Sequence, residues 1–129
     1  MISIDTNVVV RFLVGDDVEQ FRRADRLIRE NEVFVTLTVL LETEWVLRDT
    51  YEKPRSEVVQ ALKAFAGLPS VAMEDAARAL RALDWADAGM DFADALHLAG
   101  SAQGGPFVSF DRKLAKVAAR LGAPPVREP

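Results

Sequence analysis

The chain has 129 residues, half of them hydrophobic and 28% charged, which suits one globular domain with a single core. With no cysteine and one histidine, disulfide frameworks, thiol nucleophiles and Cys- or His-rich metal sites are excluded. The net charge of −4 argues weakly against a nucleic-acid partner, so the placement of the acids decides the matter.

Met1 to Ile4 reads as a short buried strand ending at Asp5. Thr6 and Asn7 are suited to cap a helix running to about Leu13. Gly15-Asp16-Asp17 is a turn, and Asp17 caps a second helix to about Arg29 with Val18, Phe21, Ala24, Leu27 and Ile28 as its apolar stripe. A second strand is predicted over Val33 to Thr36 and a third helix from about Thr38 to Tyr51. Beyond Pro54 come a helix from about Ser56 to Ala66 and a third strand over Val71 to Met73. Helices at about Glu74 to Ala88 and Phe92 to Ala102 are split by Gly89. A fourth strand spans Pro106 to Phe110, and a last helix from about Arg112 to Leu121 is closed by Gly122. Val126 marks a short fifth strand.

Strands separated by helices predict a single α/β domain over residues 1–129, with parallel βα units and helices on both faces of the sheet. In such sheets ligands bind beyond the carboxyl ends of strands. No apolar run has bilayer length and the first residues lack a signal pattern, so a cytoplasmic protein with no membrane association is expected.

Asp5 ends the first strand and Asp111 follows the fourth, so neighbouring strands would aim both into one crevice. Asp111 suits the N-cap of the last helix equally well. Glu44 has Arg48 four residues on and reads as an ion-paired surface residue. Glu42 has only Thr38, Val39, Trp45 and Val46 at helical neighbour spacing, so its partner must come from elsewhere in the fold. Asp91 and Asp94 share a helix face, with Asp91 a candidate N-cap and His97 three residues beyond Asp94. A lone histidine here reads more as packing than as a ligand. Carboxylates without partners suit a hard cation such as Mg²⁺ or Mn²⁺, which activates water and stabilises charge on a phosphodiester.

Four blocks occur in order: Ile4-Asp5-Thr6-Asn7-Val8, Leu40-Leu41-Glu42, Asp91-Phe92-Ala93-Asp94-Ala95-Leu96-His97-Leu98-Ala99 and Val108-Ser109-Phe110-Asp111-Arg112-Lys113-Leu114. Together they resemble a PIN domain, most closely a VapC-type toxin of bacterial type II toxin–antitoxin pairs. The resemblance implies a parallel five-stranded sheet in the order 3-2-1-4-5. It also implies a Mg²⁺-dependent endoribonuclease, with Mn²⁺ able to substitute, that cleaves RNA by metal-activated water. The family's acids fall on Asp5, Glu42, Asp94 and Asp111, with Asp91 a further one; Asp5 and Asp94 are the first choices as direct ligands. Thr6, Asn7 and Ser109 match supporting positions, whereas Phe110 departs from the polar residue many members carry. The implied partners are a VapB-type antitoxin and a second copy of the chain, in homodimers and toxin–antitoxin hetero-oligomers.

Arg112, Lys113 and Lys116 follow Asp111 directly and are the best candidates for RNA phosphate contacts. The five carboxylates exceed the whole net charge, so the acidic total is compatible with RNA. Two alternatives stand beside this reading: a PIN nuclease of RNA processing outside a toxin–antitoxin pair, and a receiver- or phosphatase-like domain using Asp5 as nucleophile. The second is disfavoured because Asn7 stands where the phosphatase pattern needs another aspartate.

Overall fold

The structure, a computed structural model, describes residues 1–129. It divides into two compact units, Met1–Ala76 and Ala77–Pro129.

The first unit carries β1 (Ile2–Ser3), α1 (Thr6–Val14), α2 (Val18–Glu30), β2 (Val33–Val35), α3 (Leu37–Trp45), α4 (Arg55–Ala66) and β3 (Val71–Met73). Its sheet is parallel in the order β1-β2-β3, with Ile2 opposite Val33 and Val33 opposite Val71. The central strand Val33-Phe34-Val35 is the most buried, as a β-branched run covered on both faces should be. Ile4, Val9, Ile28, Val33, Val35 and Phe65 form the core, each stabilising the fold by about 1.5–3 kcal/mol on burial. Phe12 packs between Phe21 and Phe65, with ring centroids 6.3 and 5.9 Å away. Gly15 closes α1 at φ 70°, where a β-carbon would be strained, and its N–H donates to the Arg11 carbonyl at 3.2 Å.

Helix α3 does not stop at Trp45. It widens into a π-helical turn over Val46–Thr50, marked by the Tyr51 N–H donating to the Val46 carbonyl at 3.2 Å.

The second unit holds α5 (Ala76–Asp87, starting at the unit boundary), α6 (Phe92–Ala99), β4 (Phe107–Val108), α7 (Arg112–Leu121) and β5 (Val126–Arg127). Buried Leu83, Met90, Phe92, Leu96, Leu98 and Leu114 supply its apolar interior. The strands β4 and β5 pair in parallel, with Phe107 opposite Val126. Nε of Arg78 donates to the Leu96 carbonyl at 3.0 Å, tying α5 to the last turn of α6.

The continuous five-stranded sheet in the order 3-2-1-4-5 is not formed. The strands hydrogen-bond as a three-stranded and a separate two-stranded sheet. Both β1 and β4 are only two residues long, because Asp5 turns directly into α1 and Gly104-Gly105-Pro106 delays β4. Each ladder therefore ends at one neighbour. The first strand is also less buried than its apolar letters suggest: Ile2 and Ser3 are exposed, and only Ile4 beyond them is buried. No helix is long and apolar enough to cross a membrane.

Candidate active site

In the first unit, Asp5 stands at the N-cap of α1, where its Oδ1 accepts the Val8 N–H at 3.1 Å. Thr6 and Asn7, the expected caps, instead open the helix itself. The cap falls to Asp5 because the chain leaves β1 in an extended conformation there, with φ −95° and ψ 177°. One carboxylate oxygen satisfies the helix and one remains for other work. Thr6, buried in the first turn, donates its hydroxyl to Oε1 of Glu42 on α3.

Asp5, Thr6, Asn7 and Glu42 line one cavity of about 390 Å³. Arg11 and Tyr51 form another part of its wall. Nη1 of Arg11 donates to Asp16 Oδ1 at 3.2 Å and to the Tyr51 hydroxyl at 3.4 Å, and that hydroxyl donates to Asp16 Oδ2 at 3.2 Å. Sequence reasoning missed Arg11 and Tyr51. Arg11 had a signal, as the lone cation in the apolar helix Val8-Val9-Val10-Arg11-Phe12-Leu13. Tyr51 had none, because its partner lies 40 residues away.

The expected burial of the two α3 glutamates is reversed. Glu44 is the buried one, at 4% exposure, and Glu42 is exposed. Arg48 makes this possible: its Nε lies 2.9 Å from Glu44 Oε2, so the carboxylate enters the interior as half of an ion pair. The expectation that Glu42's partner lies elsewhere in the fold is met by Thr6.

In the second unit, Asp91 caps α6 by accepting the Asp94 N–H at 3.1 Å, and Asp111 caps α7 by accepting the Leu114 N–H at 3.0 Å. The Ser109 hydroxyl accepts the Asp111 N–H at 3.0 Å, which fixes the turn that presents Asp111. Burial, then repulsion from Asp91 and Asp111, pushes the Asp94 carboxyl above its ordinary value, with His97 opposing. Asp94 thus lies in the field of two other acids, as their spacing on α6 and at the start of α7 predicts. His97 itself is exposed.

Among the basic candidates, Arg112 pairs with Glu128 at 2.8 Å, both side chains largely in solvent. Such a pair is weak and leaves Arg112 available to other anions. Lys113 and Lys116 are exposed on α7.

No three His, Asp or Glu side chains approach closely enough to hold a metal ion among them. The donor chemistry nevertheless fits a hard cation, since every candidate offers carboxylate oxygens. Mg²⁺ in particular keeps several waters and needs only one or two carboxylates plus substrate phosphate, so a closed cage is not required.

The sequence matches the PIN domain family over residues 2–120, and the chain belongs to that family. PIN domains are typically metal-dependent nucleases that use Mg²⁺ or Mn²⁺. No individually curated protein matches the chain.

Proposed function

We propose that this PIN domain is a Mg²⁺-dependent endoribonuclease, and that it serves as the toxin of a VapBC-type pair. One observation carries the reading. None of Asp5, Glu42, Asp91, Asp94 or Asp111 forms a salt bridge, whereas Asp16, Asp25, Glu30 and Glu44 all do. The carboxylates that match the family's acids are the ones the fold leaves without cations.

When bound, Mg²⁺ supplies charge neutralisation at a phosphodiester and acidifies water. Asp5 and Asp94 are the residues proposed to hold it directly, with Asp111 and Asp91 in support. Thr6 pins Oε1 of Glu42, which leaves Oε2 to orient the attacking water. Ser109 keeps Asp111 in place through its backbone. The proposed partners are an RNA substrate, a VapB-type antitoxin and a second copy of the chain, in the cytoplasm.

The test uses purified Asp94→Asn. It is expected to fold like the wild type by circular dichroism and to lose at least 100-fold in Mg²⁺-dependent RNA cleavage. Full cleavage by that variant sinks the nuclease assignment. Induced expression addresses the toxin role: growth arrest by the wild type and not by Asp94→Asn supports it, and normal growth beside active cleavage in vitro points to RNA processing instead.

A further inference from the structure

A second cavity, of about 350 Å³, lies between α1 and α2. Val8, Ala24 and Leu27 give it an apolar lining, and Asn7, Arg11, Gln20 and Arg23 give it polar groups. No carboxylate lines it. Asn7 and Arg11 also line the cavity that holds Asp5 and Glu42, so the two spaces share a wall.

The cations here differ from the rest of α2. Arg26 and Arg29 are consumed by Glu30 and Asp25 on their own helix, at 3.1 and 2.8 Å. Arg23 has no salt bridge. Arg11 keeps one nitrogen on Asp16 and Tyr51, while its Nε is buried without any acceptor. A buried donor without a partner is costly, and a guanidinium offers five N–H groups, more than these two neighbours use.

We propose that the α1–α2 groove is the subsite for the RNA backbone next to the scissile phosphate. Arg11 and Arg23 contact its phosphates, and the Asn7 and Gln20 amides face the nucleotide. The inference rests on the ribonuclease reading. A strand held at Asp5 and Glu42 that leaves past Asn7 and Arg11 passes from an acidic cavity into a cationic one. The volume is within the range of small-ligand pockets, enough for one nucleotide to lie against Val8 and Leu27.

The test measures binding of a fluorescently labelled single-stranded RNA, in EDTA so that the strand stays intact, across a salt series. Arg23→Gln removes an exposed cation with no folding role. It is expected to weaken binding about five- to tenfold at 50 mM salt and to reduce the slope of log affinity against log salt by about 0.7, the single-strand value for one phosphate. Arg22→Gln is the control, with the same charge change one residue outside the groove, and is expected to leave the slope nearly unchanged. Arg11→Gln is expected to behave like Arg23→Gln; lower thermal stability with an unchanged slope would overturn Arg11's part. Equal effects of Arg22→Gln and Arg23→Gln, beside intact Mg²⁺-dependent cleavage by the wild type, overturn the subsite alone. Absence of RNA binding and cleavage by the wild type overturns the ribonuclease reading with it.

Discussion

The Thr6 hydroxyl donates to Glu42 Oε1 across 36 residues of sequence, joining the first turn of α1 to the middle of α3. It fixes a carboxylate that is otherwise free in solvent. Thr6→Val keeps the shape and removes the donor. It is expected to cost about 1 kcal/mol or less in urea unfolding, because the freed Glu42 turns to water. Its effect on RNA cleavage should be larger, about tenfold, and Thr6→Ser should restore most of it. Equal cleavage by Thr6→Val and wild type would show that Glu42 needs no positioning.

Asp5 does two jobs that substitution can separate. As a cap it holds the Val8 N–H, and asparagine caps equally well. Asp5→Asn is therefore expected to melt within a few degrees of the wild type while losing metal-dependent cleavage. Asp5→Ala loses both, with a further cost of about 1 kcal/mol. Thermal melts beside a cleavage assay distinguish the cases; equal stability of Asp5→Asn and Asp5→Ala would dismiss the capping role.

The raised Asp94 carboxyl makes a prediction with a definite sign. Folding favours its protonated form, so its ionisation weakens the fold. The favourable contribution is complete below the ordinary 3.8 and is lost as pH rises through the raised value. Asp94→Asn removes the desolvated, repelled charge. It is expected to be slightly more stable than the wild type at pH 7, by less than about 1 kcal/mol since the group is part-exposed, with the difference shrinking towards pH 3. Added Mn²⁺ should narrow the gap at pH 7 by stabilising the wild type alone. A less stable Asp94→Asn at pH 7 would contradict this.

Glu44 is buried against Arg48, so the pair should be asymmetric under mutation. Arg48→Leu strands a carboxylate in the interior and is expected to cost about 2–3 kcal/mol, somewhat below a fully buried pair because Arg48 is one-third exposed. Glu44→Gln leaves no orphan charge and should cost less. Urea denaturation of both variants checks the order, and the reverse order would mean that Glu44 is neutral in the folded protein.

The order of elements was legible in the sequence because each helix has a local stripe and a local cap. Asp17 caps α2 and Gly122 ends α7 as the pattern requires. The acids at Asp91 and Asp111 were legible for the same reason, as helix caps three residues before the N–H they hold. Strand pairing was not, since two residues carry no periodicity and nothing in Ile2-Ser3 says how many neighbours a strand finds. Glu42 and Glu44 were misjudged for a related reason. Spacing shows that Arg48 can reach Glu44, but not whether the pair lies inside or outside. The cavity wall at Arg11 and Tyr51 depends on contacts 40 residues apart, which no local pattern encodes.

The π-helical turn at Val46–Thr50 has a consequence for how this wall changes over time. Such a turn holds one residue more than an α-helical path would. Val46, Thr50 and Tyr51 all line the cavity opposite the Asp5 cap. Loss of one residue within the turn would return it to α-helical winding and rotate everything after it by about 100°. Thr50 and Tyr51 would then face elsewhere, while Asp5, Glu42 and Thr6 kept their places. A single-codon deletion or insertion can thus reshape what the cavity admits and leave its carboxylates untouched.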